Sequence, residues 1–441
     1  MFGFSMVQMV RTNASKLDQP LRETVLNLYK PFKWTPCFLH RVFEGRLKKK
    51  KKIPVIIEFK QEALEAGIHS VEHALKKSKK AKIKKHFSHI HCCAADLTPS
   101  ALEKVLTDGD HIRKVYLDRK MHALLDVATK ASFAKDVVRN ETTLTGKGVT
   151  VAVIDTGIYP HQDLEGRIRD FVDFVKNKTK PYDDNGHGTH CAGDIAGDGT
   201  ASDGLYQGPA PQAKLIGIKV LNKSGTGSLS TIIEGVEWCI QFNEEHPDDP
   251  IRIVSMSLGA DVQRYDEEQD DPIVKAVNAA WDHGMVVCVA AGNSGPNAQT
   301  IASPAVSQKI LTVGAYDDQS TPETDDDIVA PFSSRGPTVY GANKPDILAP
   351  GVNIVSLRSP SSFIDKLDKS SRVGTDYTTL SGTSMATPIC AGICALLLEH
   401  SPELTPDEVK ELIIKNAGQW AEEDPNIYGA GAIDAEKAIP Q

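Results

Sequence analysis

No continuous apolar run in this chain of 441 residues reaches the length of a membrane-spanning segment. Its longest apolar runs, such as Val286 to Ala291 and Ile393 to Leu398, fall far short of about 20 residues, the length a crossing helix needs. No basic segment precedes a continuous apolar stretch within Met1 to Ser15, so a secretory signal is not expected. Cysteine is sparse: eight residues are spread thinly, two of them adjacent (Cys92 and Cys93). They read as reduced thiols of a cytoplasmic protein rather than as a disulfide framework. Internal repeats are absent, and 33 Gly with 25 Pro make no collagen-like or low-complexity signature. What is present is an ordinary globular composition, 24% charged and 40% hydrophobic, in a chain long enough for two or three domains.

The net charge of −8 hides a division. Residues 1–125 carry 25 Lys/Arg against 12 Asp/Glu, a balance of +13, and residues 126–441 carry 25 against 46, a balance of −21. Such asymmetry marks a binding partner. The simplest partner for the basic part is the acidic part of the same molecule.

Residues 1–47 show weak periodicity and receive no role. From Lys48 to residue 125 the pattern predicts a small α+β domain in the order β-α-β-β-α-β. It has a strand at Pro54–Phe59, a helix over 61–77, strand pattern across Ile83–Leu97, a helix from Pro99 capped by Thr98, and a strand at Ile112–Leu117. Residues 126–145 read as a linker. From 146 to 441 buried apolar strands alternate with helices. Strands are expected at Val149–Ile154, Lys214–Leu221, Ile251–Met256, Val286–Ala291 and Ile310–Val313, and helices at 228–243, 272–283, 385–400 and 406–417. This alternation predicts an α/β domain, a three-layer, doubly wound, mainly parallel sheet. Thr405, Pro406 and Glu408 spell a capping box for the last helix, with Gly418 placed to end it.

Three segments put a reactive side chain among small residues. An apolar strand ends in Asp155-Thr156-Gly157; His187 opens the run His187-Gly188-Thr189-His190; and Ser384 lies in Gly382-Thr383-Ser384-Met385-Ala386-Thr387-Pro388. Singly, each reads as a turn, core or cap residue. Together they supply a hydroxyl nucleophile, a base to take its proton and a carboxylate to hold that base in the right tautomer, in one of the known chain orders for such a triad.

These three segments resemble the signature segments of the subtilisin-like serine proteases, over roughly two-thirds of the chain from about Gly146 to Ala438, and point to an intracellular, AprX-like branch. The resemblance implies a serine endopeptidase of broad specificity acting on protein or peptide substrates through an acyl-enzyme. Asp155, His187 and Ser384 would be catalytic, and Asn293, in Ala290-Ala291-Gly292-Asn293-Ser294-Gly295, the oxyanion donor. Ser257, Leu258 and Gly259 would form the edge that pairs with substrate, and Ala291 and Gly292 one wall of the pocket before the cut. A propeptide role follows for the basic domain, as an intramolecular inhibitor whose tail near Lys120 to Asp126, with Leu124 and Leu125, is the place for self-cleavage. A merely solvated accessory domain is the other reading. No cofactor is required. Calcium is possible, with Asp163 as candidate ligand, although the loop Asp198–Tyr206 departs from the calcium-binding pattern. Nucleic acid and membrane are not expected partners. The alternatives to an active enzyme are a catalytically silent binding scaffold of this fold and a regulatory protein.

His86, His89, His91, Cys92 and Cys93 read as a strand with alternating polar positions rather than a metal site. The acidic stretches Asp266–Asp271 and Asp317–Asp327 read as solvated surface, and Ser359–Tyr377 as either a cleft rim or a surface insertion.

Overall fold

The computed structural model describes residues 5–29, 45, 47, 48, 51–60, 63–75, 81–107, 110–118, 120–123, 134, 136–319, 327–420 and 424–440. They form two units, one within residues 1–119 together with Gln263–Pro272, the other within Lys120–Val262 and from Ile273 onward.

The first unit is built on helices α1 (Ser5–Thr12) and α2 (Gln19–Asn27), then β1 (Ile53–Phe59), α3 (Leu64–Leu75), β2 (Lys82–Phe87), β3 (Cys92–Leu97), α4 (Pro99–Thr107) and β4 (Ile112–Leu117). The strands form an antiparallel sheet in the order β2-β3-β1-β4. The β-α-β-β-α-β order read from the sequence is present. The segment given no role is not idle, however. Met6, Val10, Leu21 and Val25 enter the same core as Ile53, Val55, Ile57 and Leu102. Asp18 fastens it, capping α2 through Leu21 N at 2.9 Å and accepting from Leu117 N on β4 at 3.2 Å.

The acidic stretch expected to be solvated is only partly so. Asp266 is exposed, but Asp270 and Asp271 are buried, and Asp270 accepts from Arg113 at 3.0 Å. A carboxylate leaves water when a fixed guanidinium replaces its hydration. In the other stretch Asp318 is buried, and residues 320–326 lie outside the described ones.

The second unit begins earlier than its motifs. Strand β5 (Lys120–Ala123) belongs to it, and Leu124 and Leu125 lie outside the described residues. Its central sheet contains β6 (Thr150–Asp155), β7 (Ile168–Asp173), β8 (Lys214–Lys219), β10 (Ile251–Met256), β12 (Val286–Ala290), β13 (Leu311–Asp317) and β14 (Ile347–Pro350). The order is β13-β12-β10-β6-β8-β7, with β14 also on β13 and Ile328–Val329 as an antiparallel edge. Every other pairing in it is parallel. Val- and Ile-rich strands buried along their length suit a sheet covered on both faces. The helices are α5 (His187–Ala196), α6 (Leu229–Glu245), α7 (Pro272–Asp282), α8 (Thr383–His400) and α9 (Pro406–Lys415). Two short strands, β9 (Thr226–Ser228) and β11 (Leu258–Gly259), flank β5 in a separate small sheet.

Part of the expected linker is folded. Val138–Arg139 pairs with Thr142–Thr143, and the buried Arg139 guanidinium donates to the Ile439 and Pro440 carbonyls. A buried cation needs acceptors, and the C-terminal backbone supplies them. Thr405 and Glu408 make the capping box on α9, but that helix stops at Lys415 and Gly418 instead bridges to Ala432. Among the described residues α8 alone is long and apolar enough to cross a membrane, and 89% of that stretch is buried inside the protein.

Candidate active site

β6 delivers Asp155 to its carboxyl end, and the next residues turn sharply. Glycine is required there: a Cβ on Gly188 would stand 2.3 Å from the Gly157 carbonyl and 3.1 Å from Asp155. The close approach lets α5 start against the carboxylate. His187 Nδ1 lies 2.8 and 2.9 Å from the two Asp155 oxygens, and Thr156 N donates to Oδ1 at 2.6 Å. Both Asp155 and His187 are fully buried. Burial by itself pulls the imidazole pKa down, but the adjoining carboxylate outweighs it and holds His187 well above its ordinary value.

α8 brings Ser384 to the same place. Pro388 has no N–H, so the Ser384 carbonyl one turn earlier has no donor from it. That carbonyl accepts instead from Ser257 Oγ at 2.7 Å and from Cys191 Sγ at 3.5 Å. Cys191 Sγ is also 3.9 Å from His187 Nδ1, so the thiol touches both sides of the site. Burial pushes this thiol up to about 11 against the pull of His187, with a smaller push from the Asp155 charge. It is a packing group here and not a thiolate nucleophile.

Asn293 follows β12 and is held by one end of its amide. Its Oδ1 accepts from Thr383 N at 2.9 Å and Thr383 Oγ1 at 3.0 Å, while its buried Nδ2 has no partner. An unsatisfied buried donor is costly unless something is meant to meet it. The leading N–H groups of α8 add a positive helix end.

The residues expected to bind substrate fall where the sheet ends. Leu258 and Gly259 form β11, antiparallel to β5 with Leu258 opposite Ala123 and Gly259 opposite His122. Ala291 and Gly292 lie on the loop after β12, pinned by Ala291 N to Val313 O at 2.9 Å and Gly292 N to Thr383 Oγ1 at 3.2 Å. Ser257 spends its hydroxyl on the Ser384 carbonyl, which makes it a support of the helix start.

Sequence reasoning missed several supports. The fully buried Lys219 ammonium donates to the Leu221 carbonyl and Asp184 at 2.9 Å and also to the Thr156 carbonyl, bracing the turn after Asp155. Asp183 gathers Asn185 N and Gly186 N at 2.9 Å, Thr189 N at 3.0 Å and Thr189 Oγ1 at 2.7 Å, fixing the approach to α5. The stretch 359–377 packs on that approach: Ser359 Oγ donates to the Asp183 carbonyl at 2.8 Å, and Phe363 N and Ile364 N bond the Asp184 and Asn185 carbonyls. It buttresses the His187 segment. A buried lysine and a polar insertion carry no motif, so only tertiary contacts reveal them.

The calcium candidate does not fit a cation. Both Asp163 oxygens meet protein donors, Ala201 N at 2.8 Å and Tyr377 OH at 2.6 Å, and Arg167 donates to its carbonyl while pairing with Asp198 at 3.3 Å. Calcium ligands must present oxygens without protons between them and the ion. Here a guanidinium and a phenol stand in that position.

Comparisons with known proteins agree with the geometry. Residues 146–431 match the Subtilase family. The chain is 67% identical over 440 residues to serine protease AprX of Bacillus subtilis, covering all of both proteins. It is 37% identical over 295 residues to Subtilisin Savinase of Lederbergia lenta, covering 67% of this chain and 92% of that one. Fervidolysin from Fervidobacterium pennivorans, a keratinolytic enzyme related to subtilisin, shares the fold with a TM-score of 0.67 at 20% identity, over 88% of this chain and 61% of that one. With its family pattern running from just ahead of β6 to beyond α9, this chain belongs to the subtilases and is a serine endopeptidase.

Proposed function

We propose that Ser384 attacks the scissile carbonyl while His187 Nε2 takes its proton, with Asp155 fixing the tautomer through Nδ1 and stabilising the imidazolium that forms. His187 then returns the proton to the leaving amine, and water repeats the cycle on the acyl-enzyme. Asn293 Nδ2 and the Ser384 N–H meet the oxyanion. The observation that carries this reading is the unpartnered, buried Asn293 amide beside a serine at a helix start and a histidine doubly held by a buried carboxylate. A fluorophosphonate should label the wild-type chain and leave Ser384→Ala unlabelled. Labelling of both, or of neither, overturns the assignment.

Substrate pairing through the backbone of β11 and a pocket wall of Ala291 and Gly292, small and uncharged, support broad specificity. Reduced thiols at Cys92, Cys93, Cys191, Cys239, Cys288, Cys390 and Cys394 support work in a reducing compartment, the cytoplasm.

We further propose that the basic N-terminal region acts as an intramolecular inhibitor. Its support is β5, whose backbone pairs with both β9 and β11 as an extended substrate would: Met121 faces Gly227, and Ala123 faces Leu258. Self-cleavage is expected within the segment Lys120 to Asp126, which holds Leu124 and Leu125 in sequence. Mass measurement of purified wild type should show that cut and Ser384→Ala should stay whole; a cut in both chains removes the self-processing claim.

A further inference from the structure

Three thiols converge in the core at a place the proteolytic mechanism does not use. Cys288 lies in the middle of β12, and Cys390 and Cys394 lie one turn apart on α8. All three are fully buried, and their sulfur atoms lie within 4.8 Å of one another. A fourth polar group shares that face of the sheet. Ser255 on β10 is the register partner of Cys288, and partners in neighbouring strands point to the same side. The Ser255 hydroxyl is buried and has no hydrogen-bond partner.

Free cysteine packs in a core as a small hydrophobe, but here three of them turn their sulfur atoms toward one another and present three soft donor atoms together.

We propose that Cys288, Cys390 and Cys394 form a buried three-sulfur site for a soft univalent cation of the copper(I) class. Soft thiolate ligands select such ions. Binding releases the thiol protons, since the thiolate and not the thiol is the ligand. Zinc asks for four strong ligands in a tetrahedron, and a neutral serine hydroxyl is a poor fourth. Ser255 instead suits an outer role, donating to a metal-bound sulfur. The site joins β12, which leads to Asn293, and α8, which carries Ser384.

The test uses the full chain, with Ser384→Ala to prevent self-digestion, reduced and kept anaerobic. Copper(I) is added against a copper(I)-specific chelator, and retained metal and its neighbours are read by elemental analysis and X-ray absorption. The expected result is one retained ion with three sulfur neighbours. Cys390→Ala/Cys394→Ala should lose it, whereas Cys92→Ala/Cys93→Ala and Cys191→Ala should keep it. Circular dichroism establishes that each alanine variant is folded, and Cys288→Ala alone provides a milder second check. No retention by the parent chain, retention unchanged in folded Cys390→Ala/Cys394→Ala, or uptake of zinc in place of copper(I) would each overturn the proposal.

Discussion

Glu58 in the N-terminal unit and Asp155 in the catalytic unit are both carboxylates withdrawn from water, and their partners differ in kind. Glu58 accepts from Arg113 at 2.6 Å and from Tyr116 OH at 2.7 Å. Neither proton leaves near neutral pH: the guanidinium is raised further by Glu58, and burial and then Glu58 push the Tyr116 phenol far up. Asp155 accepts from Thr156 N and holds an imidazole, the side chain whose proton moves most readily near neutrality. The same device, a buried acid satisfied by donors, locks strand register in one unit and prepares proton transfer in the other. What separates structure from chemistry here is whether the partner can let go of its proton.

Removing the mobile partner should have the largest effect. Ser384→Ala or His187→Ala is expected to lower turnover by about 10⁶, with little further loss when the two are combined, because the three residues act as one unit. Steady-state kinetics on a chromogenic peptide measures this, and fully additive losses would break the shared-mechanism reading. Asn293→Ala comes next. Its free Nδ2 serves only the developing oxyanion, so kcat should fall by about 10²–10³ with KM little changed. A rise in KM at constant kcat would assign Asn293 to ground-state binding.

The pH profile tests the contrast more finely. His187 acts as a base only when neutral, and Asp155 holds its pKa well above 6.5. The acid limb of kcat/KM should therefore lie above pH 6.5, higher than a free imidazole would place it. In Asp155→Asn the limb should move back down within the residual activity. A wild-type midpoint at or below 6.5 contradicts the raised value.

Glu58→Gln is the corresponding change in the other unit. It keeps the shape, removes the charge facing Arg113 and Tyr116, and should leave active-site chemistry intact. Hydrogen bonds to a charged group are worth about 1.5–3 kcal/mol, and the half-exposed Arg113 argues for the lower end. Denaturant unfolding of Ser384→Ala with and without Glu58→Gln reads this directly. A loss of peptidase activity in folded Glu58→Gln would show that Glu58 is not confined to a structural role.

The same contrast explains what could be read from the sequence. Asp155, His187, Asn293 and Ser384 were legible because each sits among residues whose smallness is geometric, as Gly188 against the Gly157 carbonyl illustrates. The parallel sheet was legible because strands buried on both faces write continuous apolar runs. Helices α1 and α2 were not, since their few apolar residues gain meaning only against β4 and the rest of a distant core. Lys219 and Arg139 look like solvated charges until backbone carbonyls far along the chain are seen to enclose them. Asp163 misled in the opposite direction: its local pattern fits a family ligand, while its partners Ala201 and Tyr377 come from elsewhere in the chain.

The smallest expected effect compares one helix start from each unit. Thr98 Oγ1 accepts from Ala101 N at 3.2 Å at the start of α4, and Thr405 Oγ1 accepts from Glu408 N at 3.3 Å at the start of α9. The bonds match in length, but their settings do not: the Thr98 bond is buried, whereas the Thr405 bond is exposed and backed by the Glu408 carboxylate on Thr405 N at 2.8 Å. Thr405→Ala leaves a donor that water can satisfy, so the loss should be near the low end of about 0.5–2 kcal/mol for a helix cap. Thr98→Ala leaves the Ala101 N–H its bond to the Thr98 carbonyl at 2.8 Å but removes a second acceptor that water cannot replace in the buried setting, so its loss should exceed that of Thr405→Ala within the range. Amide hydrogen exchange at Ala101 and Glu408 reads each unit separately, and exchange should accelerate more at Ala101 in Thr98→Ala than at Glu408 in Thr405→Ala. The reverse order would mean that the Glu408 return bond, rather than burial, decides what a cap is worth in this protein.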